Sequence, residues 1–276
     1  RANWFAKLGD DLSELSTQTW SRFGPWEMRV REECEGVRDS VGVLDLPGFS
    51  RFQLSGSGCS SWLENLIVGS LPRVGKMNLA YFADKRGRVL TEMSLMRYGQ
   101  DEFTLITAAS AQWHDYEFLR CNLPANEKLS LIDISRDVST LIVTGPKSRS
   151  LLEEVTVADL EKPWLSVQKT KIDTYDIDLA RVSFAGELGW EIHADNQAIK
   201  AIFEKIIQYG GKPFGMFALN SLRIEKGYKT WKGDLSSDYS VLESGLDRFL
   251  RLDKPQDFPG KSALLVEKQR GIRKKA

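Results

Sequence analysis

The sequence predicts an α+β fold built from two related units, each with the element order βαββα. The main observation is an internal repeat: residues 50–56 (SRFQLSG) and residues 139–145 (STLIVTG) both read as an apolar strand that ends in a glycine turn. A short amphipathic run follows each stretch, and after it come an apolar hairpin and a second helix. Sheets made from such units are antiparallel or mixed and carry helices on one face, which gives the fold class.

In the first half, a helix is predicted over residues 26–39, with Pro25 well placed at its start. Three segments form the predicted hairpin of this half: a strand at 89–97, a turn at 98–102 and a returning strand at 103–107. Ser110 is predicted to cap the helix that follows, which ends near Arg120.

The second half repeats this order with a predicted hairpin made of a strand at 179–184, a turn at 185–189 and a returning strand at 190–193. Asp195 is predicted to cap a helix that stops at Gly210. One face of this helix is apolar and contains Ile199, Ile202, Phe203, Ile206 and Ile207. A further helix is predicted over residues 218–226.

These elements divide the chain into four predicted parts: an N-terminal extension with the first helix (1–45), a first α+β unit (46–135), a second α+β unit (136–265) and a basic tail (266–276). The tail is predicted to be a solvated exit strand, since a charge run is usually exposed to water.

Composition excludes several classes of protein. The 38 basic and 38 acidic side chains balance, which argues against nucleic-acid binding, since that needs a basic surface. No apolar stretch approaches the roughly 18 residues of a membrane span. The three cysteines (Cys34, Cys59 and Cys121) are too widely spaced for a disulfide framework or a metal site, so a reducing compartment is expected, either the cytoplasm or the mitochondrial matrix. The start at Arg1 lacks a secretory signal, and we expect that the chain begins inside a longer one.

The sequence lacks the complete form of several common catalytic and cofactor-binding motifs. Residues 69–76 lack the glycine spacing and the Ser or Thr of a phosphate loop, and the GSG at 56–58 lacks the third glycine of a dinucleotide turn. Neither His114 nor His193 has a neighbouring ligand at metal spacing, and no GxSxG elbow is present for serine-hydrolase chemistry. The candidate chemistry is therefore left to carboxylates.

Three carboxylates lie on or beside the predicted hairpins. Glu92 interrupts an apolar strand and shares a face with Leu90 and Ser94, so it is either solvent-facing or functional. Glu187 and Glu191 flank the second hairpin turn. Because Glu191 stands between Trp190 and Ile192, we expect it to be partly buried and to need partners.

Residues 184–191 (FAGELGWE) resemble the YTGExGxE signature of the aminomethyltransferase (glycine-cleavage T-protein) family. Five further segments are similar to that family in its own order: 37–45 (VRDSVGVLD), 87–92 (GRVLTE), 218–225 (ALNSLRIE), 242–245 (LESG) and 258–264 (FPGKSAL). Within the family, the segments 1–5 and 187–191 look most like the folate-binding region of dimethylglycine and sarcosine dehydrogenases. The resemblance implies a T-protein-like fold whose two units are ferredoxin-like.

The resemblance also implies a chemistry. Tetrahydrofolate would be the cofactor, with Glu191 accepting the paired N–H donors of the pterin and with Glu187 nearby. Glu92 takes the position of the catalytic acid, beside an amine-derived iminium carbon that is captured as 5,10-methylenetetrahydrofolate. FAD would belong to an oxidoreductase domain or subunit outside this sequence, expected before Arg1. A closing β-barrel is expected after the basic tail.

The sequence departs from the family pattern at several positions. Glu92 stands where Asp is common, and the longer side chain moves the charge. Tyrosines that frame folate in many relatives fall on Leu79, Met96 and Phe184, of which only Phe184 keeps a stacking ring. The arginine of the family's turn falls on Leu219, which leaves Arg223 as the nearer cation for a glutamyl tail.

Two alternatives stay open from the sequence. One is a folate-dependent demethylase that acts on a preformed methyl donor. The other is a regulatory or scaffold relative that has lost catalysis, since the family tyrosines are missing and Glu replaces Asp.

Overall fold

The computed structural model describes residues 26–46, 48–125, 128–272 and 274–275. The helices are α1 Trp26–Asp39, α2 Cys59–Glu64, α3 Gln112–Cys121, α4 Ser148–Glu153, α5 Asn196–Gln208, α6 Met216–Glu225 and α7 Lys261–Arg270. The strands are β1 Gly42–Asp45, β2 Phe49–Ser55, β3 Lys76–Ala83, β4 Val89–Gly99, β5 Glu102–Ala108, β6 Ser130–Asp133, β7 Val138–Thr144, β8 Val167–Ile172, β9 Tyr175–Ala180, β10 Gly189–Asp195 and β11 Lys212–Pro213. Among the described helices, none is both long enough and apolar enough to span a bilayer.

The strands form two sheets, and the α+β prediction is confirmed. One sheet has five strands in the order β3-β4-β5-β2-β6, and the other has six in the order β11-β1-β7-β10-β9-β8. The run β3-β4-β5-β2 of one sheet is matched by β8-β9-β10-β7 of the other, which is the internal repeat in three dimensions. Each repeat contains one strand more than predicted, because β3 and β8 were not anticipated.

The repeated glycine that ends the first strand of each unit has a conformational cause. Gly56 and Gly145 both have positive φ, at 118° and 130°. A side chain at either position would collide with a backbone carbonyl, that of Lys128 or of Ser40. Only glycine fits there, so the motif recurs at both positions.

Several predicted boundaries are confirmed and others need correction. Helix α1 has its predicted bounds, although Pro25 lies outside the described residues. Asp195 caps α5 as predicted, and its carboxylate accepts from the N–H groups of Gln197 and Ala198 at 2.9 Å. Ser110 does not cap α3: it lies inside a 3₁₀ turn, Ala109–Ala111, through which β5 passes directly into the helix.

Two further corrections concern the second half. Strand β9 ends at Ala180, so residues 181–183 are irregular and Phe184 lies in the turn rather than in the strand. Helix α7 continues to Arg270, so the first half of the predicted exit strand is helical.

The chain divides into two compact units, and neither is continuous in sequence. One unit contains the six-stranded sheet and comprises residues 26–46, Thr140–Trp164 and Lys169–Tyr228 of the described chain. The other contains the five-stranded sheet and comprises residues 48–139, Leu165–Gln168 and the described residues from Lys229 onward. The predicted division differs, since it assigned residues 229–265 to the second repeat.

Each unit has its own core. In the six-stranded unit, α5 supplies the predicted apolar face, and Ile199, Ile202 and Ile206 pack with Trp190 and Ile192 of β10. The five-stranded sheet is covered on both faces. Phe82, Met93 and Leu95 belong to the cluster on one face. The second cluster draws on the late part of the chain and contains Tyr81, Val89, Trp231, Val241, Leu242, Phe258 and Leu264.

A buried carboxylate joins α3 to the five-stranded sheet. Asp115 is completely inaccessible to solvent, and one of its oxygens, Oδ2, accepts from the hydroxyls of Thr91 on β4 (2.9 Å) and Thr107 on β5. The other oxygen, Oδ1, lies 2.8 Å from His114 Nδ1. The Thr107 hydroxyl is also 3.4 Å from the main-chain oxygen of Glu92. This network therefore fixes the strand that carries Glu92.

We expect Asp115→Ala to lower the free energy of unfolding by roughly 2–4 kcal/mol, because it removes the acceptor that two threonine hydroxyls share in a dry site. Urea unfolding followed by tryptophan fluorescence measures this change. The control is Asp176→Ala, since the Asp176 side chain is 86% exposed and pairs only with Lys171 at the surface. Equal effects of the two substitutions would show that the Asp115 network adds no stability.

Candidate functional site

Glu92 lies in β4, directly opposite Tyr81 of β3. Side chains alternate along a strand, so both belong to the same face of the five-stranded sheet. That face carries the cluster to which Tyr81 and Trp231 belong. The Glu92 side chain is partly buried on this face and its Oε2 is inaccessible to solvent, so the solvent-facing interpretation of this residue is wrong.

Two donors act on the Glu92 carboxyl group, the Tyr81 hydroxyl and the main-chain N–H of Trp231, and both lower its pKa. The Trp231 N–H belongs to a tight loop in which the N–H groups of Asp234 and Leu235 donate to the carbonyl of Thr230 at 2.9 and 3.2 Å. Within the described residues, Glu92 Oε2 is buried and has no hydrogen-bond partner, and the same holds for Trp231 Nε1. An acceptor and a donor thus remain available to a ligand.

Burial raises the pKa of Glu92 to about 7, and the hydrogen bonds from Tyr81 and Trp231 act in the opposite direction. Burial also raises the pKa of Tyr81, as do the nearby charge of Glu92 and the hydrogen bond to it. Tyr81 therefore stays protonated and remains a donor. A carboxyl group with a pKa near neutrality can both give and take a proton at physiological pH.

Leu79 and Met96 lie on the same sheet face as Glu92. Leu79 pairs with Ser94 and is partly buried against the Tyr81 cluster. Met96 is 1% exposed, and its sulfur lies 3.3 Å from the Tyr98 hydroxyl. Contact of either side chain with folate stays a prediction.

Glu191 lies in β10, where it pairs with Ala180 of β9. Its side chain is 18% exposed, which agrees with the partial burial expected from the sequence. No Lys or Arg of the described chain pairs with it. A partly buried carboxylate without a cation retains most of its capacity to accept hydrogen bonds.

The imidazole of His193 lies beside the Glu191 carboxylate. It is 5% exposed, and its Nε2 lies 3.4 Å from Glu191 Oε2. Its other nitrogen, Nδ1, lies 2.7 Å from the hydroxyl of Thr140 on β7. The three residues form a line of polar groups within the six-stranded unit.

The turn before β10 carries the ring of Phe184, and a second ring, Tyr228, follows the end of α6. Phe184 stacks on Tyr228, with ring centroids 6.0 Å apart and an angle of 16° between the planes. Both residues are half-buried. Tyr228 therefore stands beside the position at which the family tyrosine is replaced by phenylalanine.

Arg223 is buried, and its guanidinium group is engaged within its own unit. It donates to Asn220 Oδ1 (2.9 and 2.6 Å) and to the carbonyl of Tyr228 (2.8 Å). These bonds fix the turn that presents Tyr228. Glutamyl-tail binding by Arg223 stays a prediction, and it would require some of these bonds to break.

Glu187 lies at the surface of the same turn and pairs with Lys226, with 3.5 Å between Oε1 and Nζ. Gly186 precedes it with a φ of 78°, and a side chain there would collide with that of Lys226. The glycine of the signature thus lets the turn approach α6 closely. Cofactor binding by Glu187 stays a prediction.

Sequence reasoning located the two carboxylates and missed their partners. Tyr81 and Trp231 are distant from Glu92 along the chain, and His193 carried no metal-ligand spacing. The alternation of β10, which places His193 two residues after Glu191 and on the same face, was the one available signal. In the described part of the chain, no three His, Cys, Asp or Glu side chains cluster in a way that could hold a metal ion.

Comparisons with known proteins give the family. The GCVT N-terminal domain matches residues 1–254. Mitochondrial dimethylglycine dehydrogenase of Rattus norvegicus is 32% identical, in an alignment that covers 99% of this chain and 32% of that protein. The chain thus spans about a third of the length of that dehydrogenase.

Two further comparisons extend this result. An aminomethyltransferase of Thermoanaerobacter pseudethanolicus (strain ATCC 33223 / 39E) is 30% identical over 92% of this chain and 72% of its own length. The crystal structure of the glycine cleavage system aminomethyltransferase T from Bartonella henselae superimposes with a TM-score of 0.80 at 22% identity, over 88% of this chain and 67% of that one, which shows the shared fold. With a domain match over most of its length and a relative that it covers extensively, the chain belongs to the GCVT N-terminal domain family, as its resemblance to aminomethyltransferases implied.

Proposed function

We propose that this chain binds tetrahydrofolate and transfers to it a one-carbon unit from an amine-derived substrate. The parent protein would be of the dimethylglycine or sarcosine dehydrogenase kind, with FAD held by an oxidoreductase domain or subunit outside this sequence. The name of the rat relative and the family membership support the class of reaction. A reducing compartment, the cytoplasm or the mitochondrial matrix, is part of the proposal.

The single observation that carries the proposal is the unused acceptor capacity of Glu191. Its carboxylate is mostly shielded from water and has no cationic partner among the described Lys and Arg residues. A reduced pterin presents two adjacent N–H donors on its 2-amino-N3 edge, and a carboxylate accepts both at once. Charge-assisted bonds of this kind are strong because little water competes for them.

The rings of Phe184 and Tyr228 support the same assignment. Phe184 lies in the turn that leads into Glu191 and stacks on Tyr228, and both rings are only half-buried, so part of each aromatic surface is available for contact with a ligand. Arg223 is assigned a positioning role here, since its hydrogen bonds hold the backbone of Tyr228. Flat ring systems such as a pterin pack well against aromatic faces.

Glu92 is assigned the acid–base role. Tetrahydrofolate supplies the nucleophilic nitrogens that take up the carbon. In its ionised form, Glu92 stabilises the positive charge of the amine-derived carbon and accepts the proton that is released as a folate nitrogen bonds to that carbon. It then returns the proton to the amine nitrogen as the carbon–amine bond breaks and the amine leaves. Tyr81 and the Trp231 N–H hold one part of the carboxyl group in place, and the buried Oε2 remains available for that proton. The surrounding apolar side chains exclude water, which would otherwise hydrolyse the reactive carbon.

The first prediction concerns affinity. We expect Glu191→Gln to weaken tetrahydrofolate binding by roughly a hundredfold, because the amide places a donor opposite a donor and loses the charge. Glu92→Gln should change the dissociation constant by less than about threefold, since it affects the reacting carbon rather than the pterin edge. Quenching of tryptophan fluorescence during titration measures both constants.

Glu204→Gln on the exposed side of α5 is the matched control and should bind like the wild type. Equal losses of affinity for Glu191→Gln and Glu92→Gln would contradict the separate roles. No saturable quenching of the wild-type chain up to about millimolar tetrahydrofolate would overturn the proposed function and favour a scaffold role.

The second prediction concerns turnover in the complete flavin-containing protein, with dimethylglycine as the one-carbon donor. Glu92→Gln should lower the rate of one-carbon transfer to tetrahydrofolate by about a hundredfold or more, because no group remains to take the proton. Glu92→Asp should retain part of the rate, since it keeps a carboxyl group but shifts its position by one methylene group. If Glu92→Gln transferred carbon at the wild-type rate, Glu92 would have no acid–base role.

The third prediction concerns the pH dependence of stability. The native protein keeps the proton on Glu92 up to about pH 7, whereas the unfolded chain releases it near the ordinary glutamate pKa of 4.5. The native state thus binds more protons between these values, and its stability falls as the pH rises through this window, by roughly 3 kcal/mol. Urea unfolding at pH 5 and pH 8 should show this loss in the wild type relative to Glu92→Gln.

Tyr81→Phe provides the control for this measurement. It removes a hydrogen bond that favours the ionised form, so the midpoint of the loss should move to higher pH. If the wild type and Glu92→Gln changed in parallel with pH, the carboxyl group would have an ordinary pKa and the proposed enclosure would be wrong.

A further inference from the structure

His193 carries a buried nitrogen that the proposed chemistry does not use. Its Nδ1 lies 2.7 Å from Thr140 Oγ1, whereas its Nε2 lies 3.4 Å from Glu191 Oε2. Among the described residues, Nε2 has no partner in hydrogen-bonding geometry. A buried ring nitrogen without a hydrogen-bond partner costs free energy, so its presence calls for a functional explanation.

We propose that Thr140 and His193 are positioning residues that orient the Glu191 carboxylate toward the paired N–H donors of a ligand. This inference rests on the proposed function and adds two residues to the binding site. Neither residue is assigned a contact with the ligand. Both act through Glu191, by fixing the direction in which its second oxygen points.

The tautomer of His193 follows from the neighbours of its two ring nitrogens, Thr140 and Glu191. If Nδ1 carried the proton and donated to Thr140, the lone pair of Nε2 would face a carboxylate oxygen and the two would repel. If the Thr140 hydroxyl donates to Nδ1, the proton is on Nε2 and points at Glu191. Of the two neutral tautomers, only the second gives both ring nitrogens a favourable neighbour, so Glu191 and Thr140 together favour the Nε2–H form.

The distance of 3.4 Å is longer than a formed hydrogen bond, which spans 2.7–3.2 Å for N–H donors. A small rotation of the Glu191 side chain closes this gap. We infer that the contact tightens when the other oxygen receives a ligand, as hydrogen bonds in binding sites do on loading. A carboxylate that is oriented in advance loses less side-chain entropy on binding.

The strand geometry makes this arrangement rigid. Glu191 and His193 are two residues apart in β10, so both lie on one face, and β7, which carries Thr140, is the neighbouring strand in the sheet. Supporting residues that are held on regular strands position a binding group more accurately than residues on loops.

The first test reads the tautomer without any ligand. The chain has only two histidines, so the ring nitrogens of His193 and His114 can be separated in a ¹⁵N spectrum of the full chain by comparison with a His114→Gln variant. We expect the Nε2–H form for His193 in the wild type. In Glu191→Gln, whose amide can face Nε2 with either its oxygen or its NH2 group, a mixture of tautomers should appear. An Nδ1–H form in the wild type would overturn the inference.

The second test measures tetrahydrofolate affinity by fluorescence titration. His193→Leu should weaken binding about tenfold and Thr140→Val about fivefold, as expected for the loss of one hydrogen bond. His193→Gln should stay within about threefold of the wild type, because its amide can donate to Glu191. In a Glu191→Gln background, the same substitutions should change affinity by less than about twofold.

Comparing the substitutions in the wild-type and Glu191→Gln backgrounds distinguishes a loss of Glu191 positioning from a general loss of structure. Equal losses with and without Glu191 would indicate a purely structural effect and overturn the inference, and so would unchanged affinity in His193→Leu. If Glu191→Gln loses affinity and His193→Leu does not, the proposed function is supported and only the present inference is overturned. A wild type that does not bind overturns both.

Discussion

A carboxyl group on a β-strand can leave water only where neighbouring atoms replace its lost hydrogen bonds. This constraint determines the character of both candidate carboxylates. Glu92 receives a hydroxyl and a main-chain N–H from two separate segments of its unit, while Glu191 has one imidazole beside it. In both cases the replacement is incomplete, and the missing part is the capacity that a ligand can use.

The two sheets repeat one strand order, but the two acids lie on strands that are not equivalent in it. Glu92 is on β4, which matches β9, whereas Glu191 is on β10, which matches β5. The partners differ because they come from register and from loops, which the repeat does not conserve. The repeat therefore determines the strand order of each sheet, and the chemistry of each site depends on the side chains that are particular to that copy.

Features encoded by short stretches could be predicted from the sequence. The cap at Asp195, the apolar face of α5 and the bounds of α1 depend on neighbours within a few residues, and all three are confirmed. Partners set by long-range pairing could not be predicted. Tyr81 faces Glu92 only because of the register of β3, a strand that was itself missed, and Trp231 comes from a distant loop. The prediction that Ser110 caps α3 was wrong, because β5 continues through a 3₁₀ turn into the helix and leaves no separate cap position for this serine.

The discontinuity of the five-stranded unit has a consequence for biosynthesis. Its sheet is made from the early part of the chain, but the cluster around Tyr81 is completed by Trp231, Leu242 and Phe258, which leave the ribosome about a hundred residues or more after the last strand of the sheet. During translation, one apolar face of the sheet stays uncovered, and such a nascent intermediate is a natural client for chaperones. Truncation near Lys229 would consequently abolish the enclosure of Glu92 while sparing every strand of that sheet.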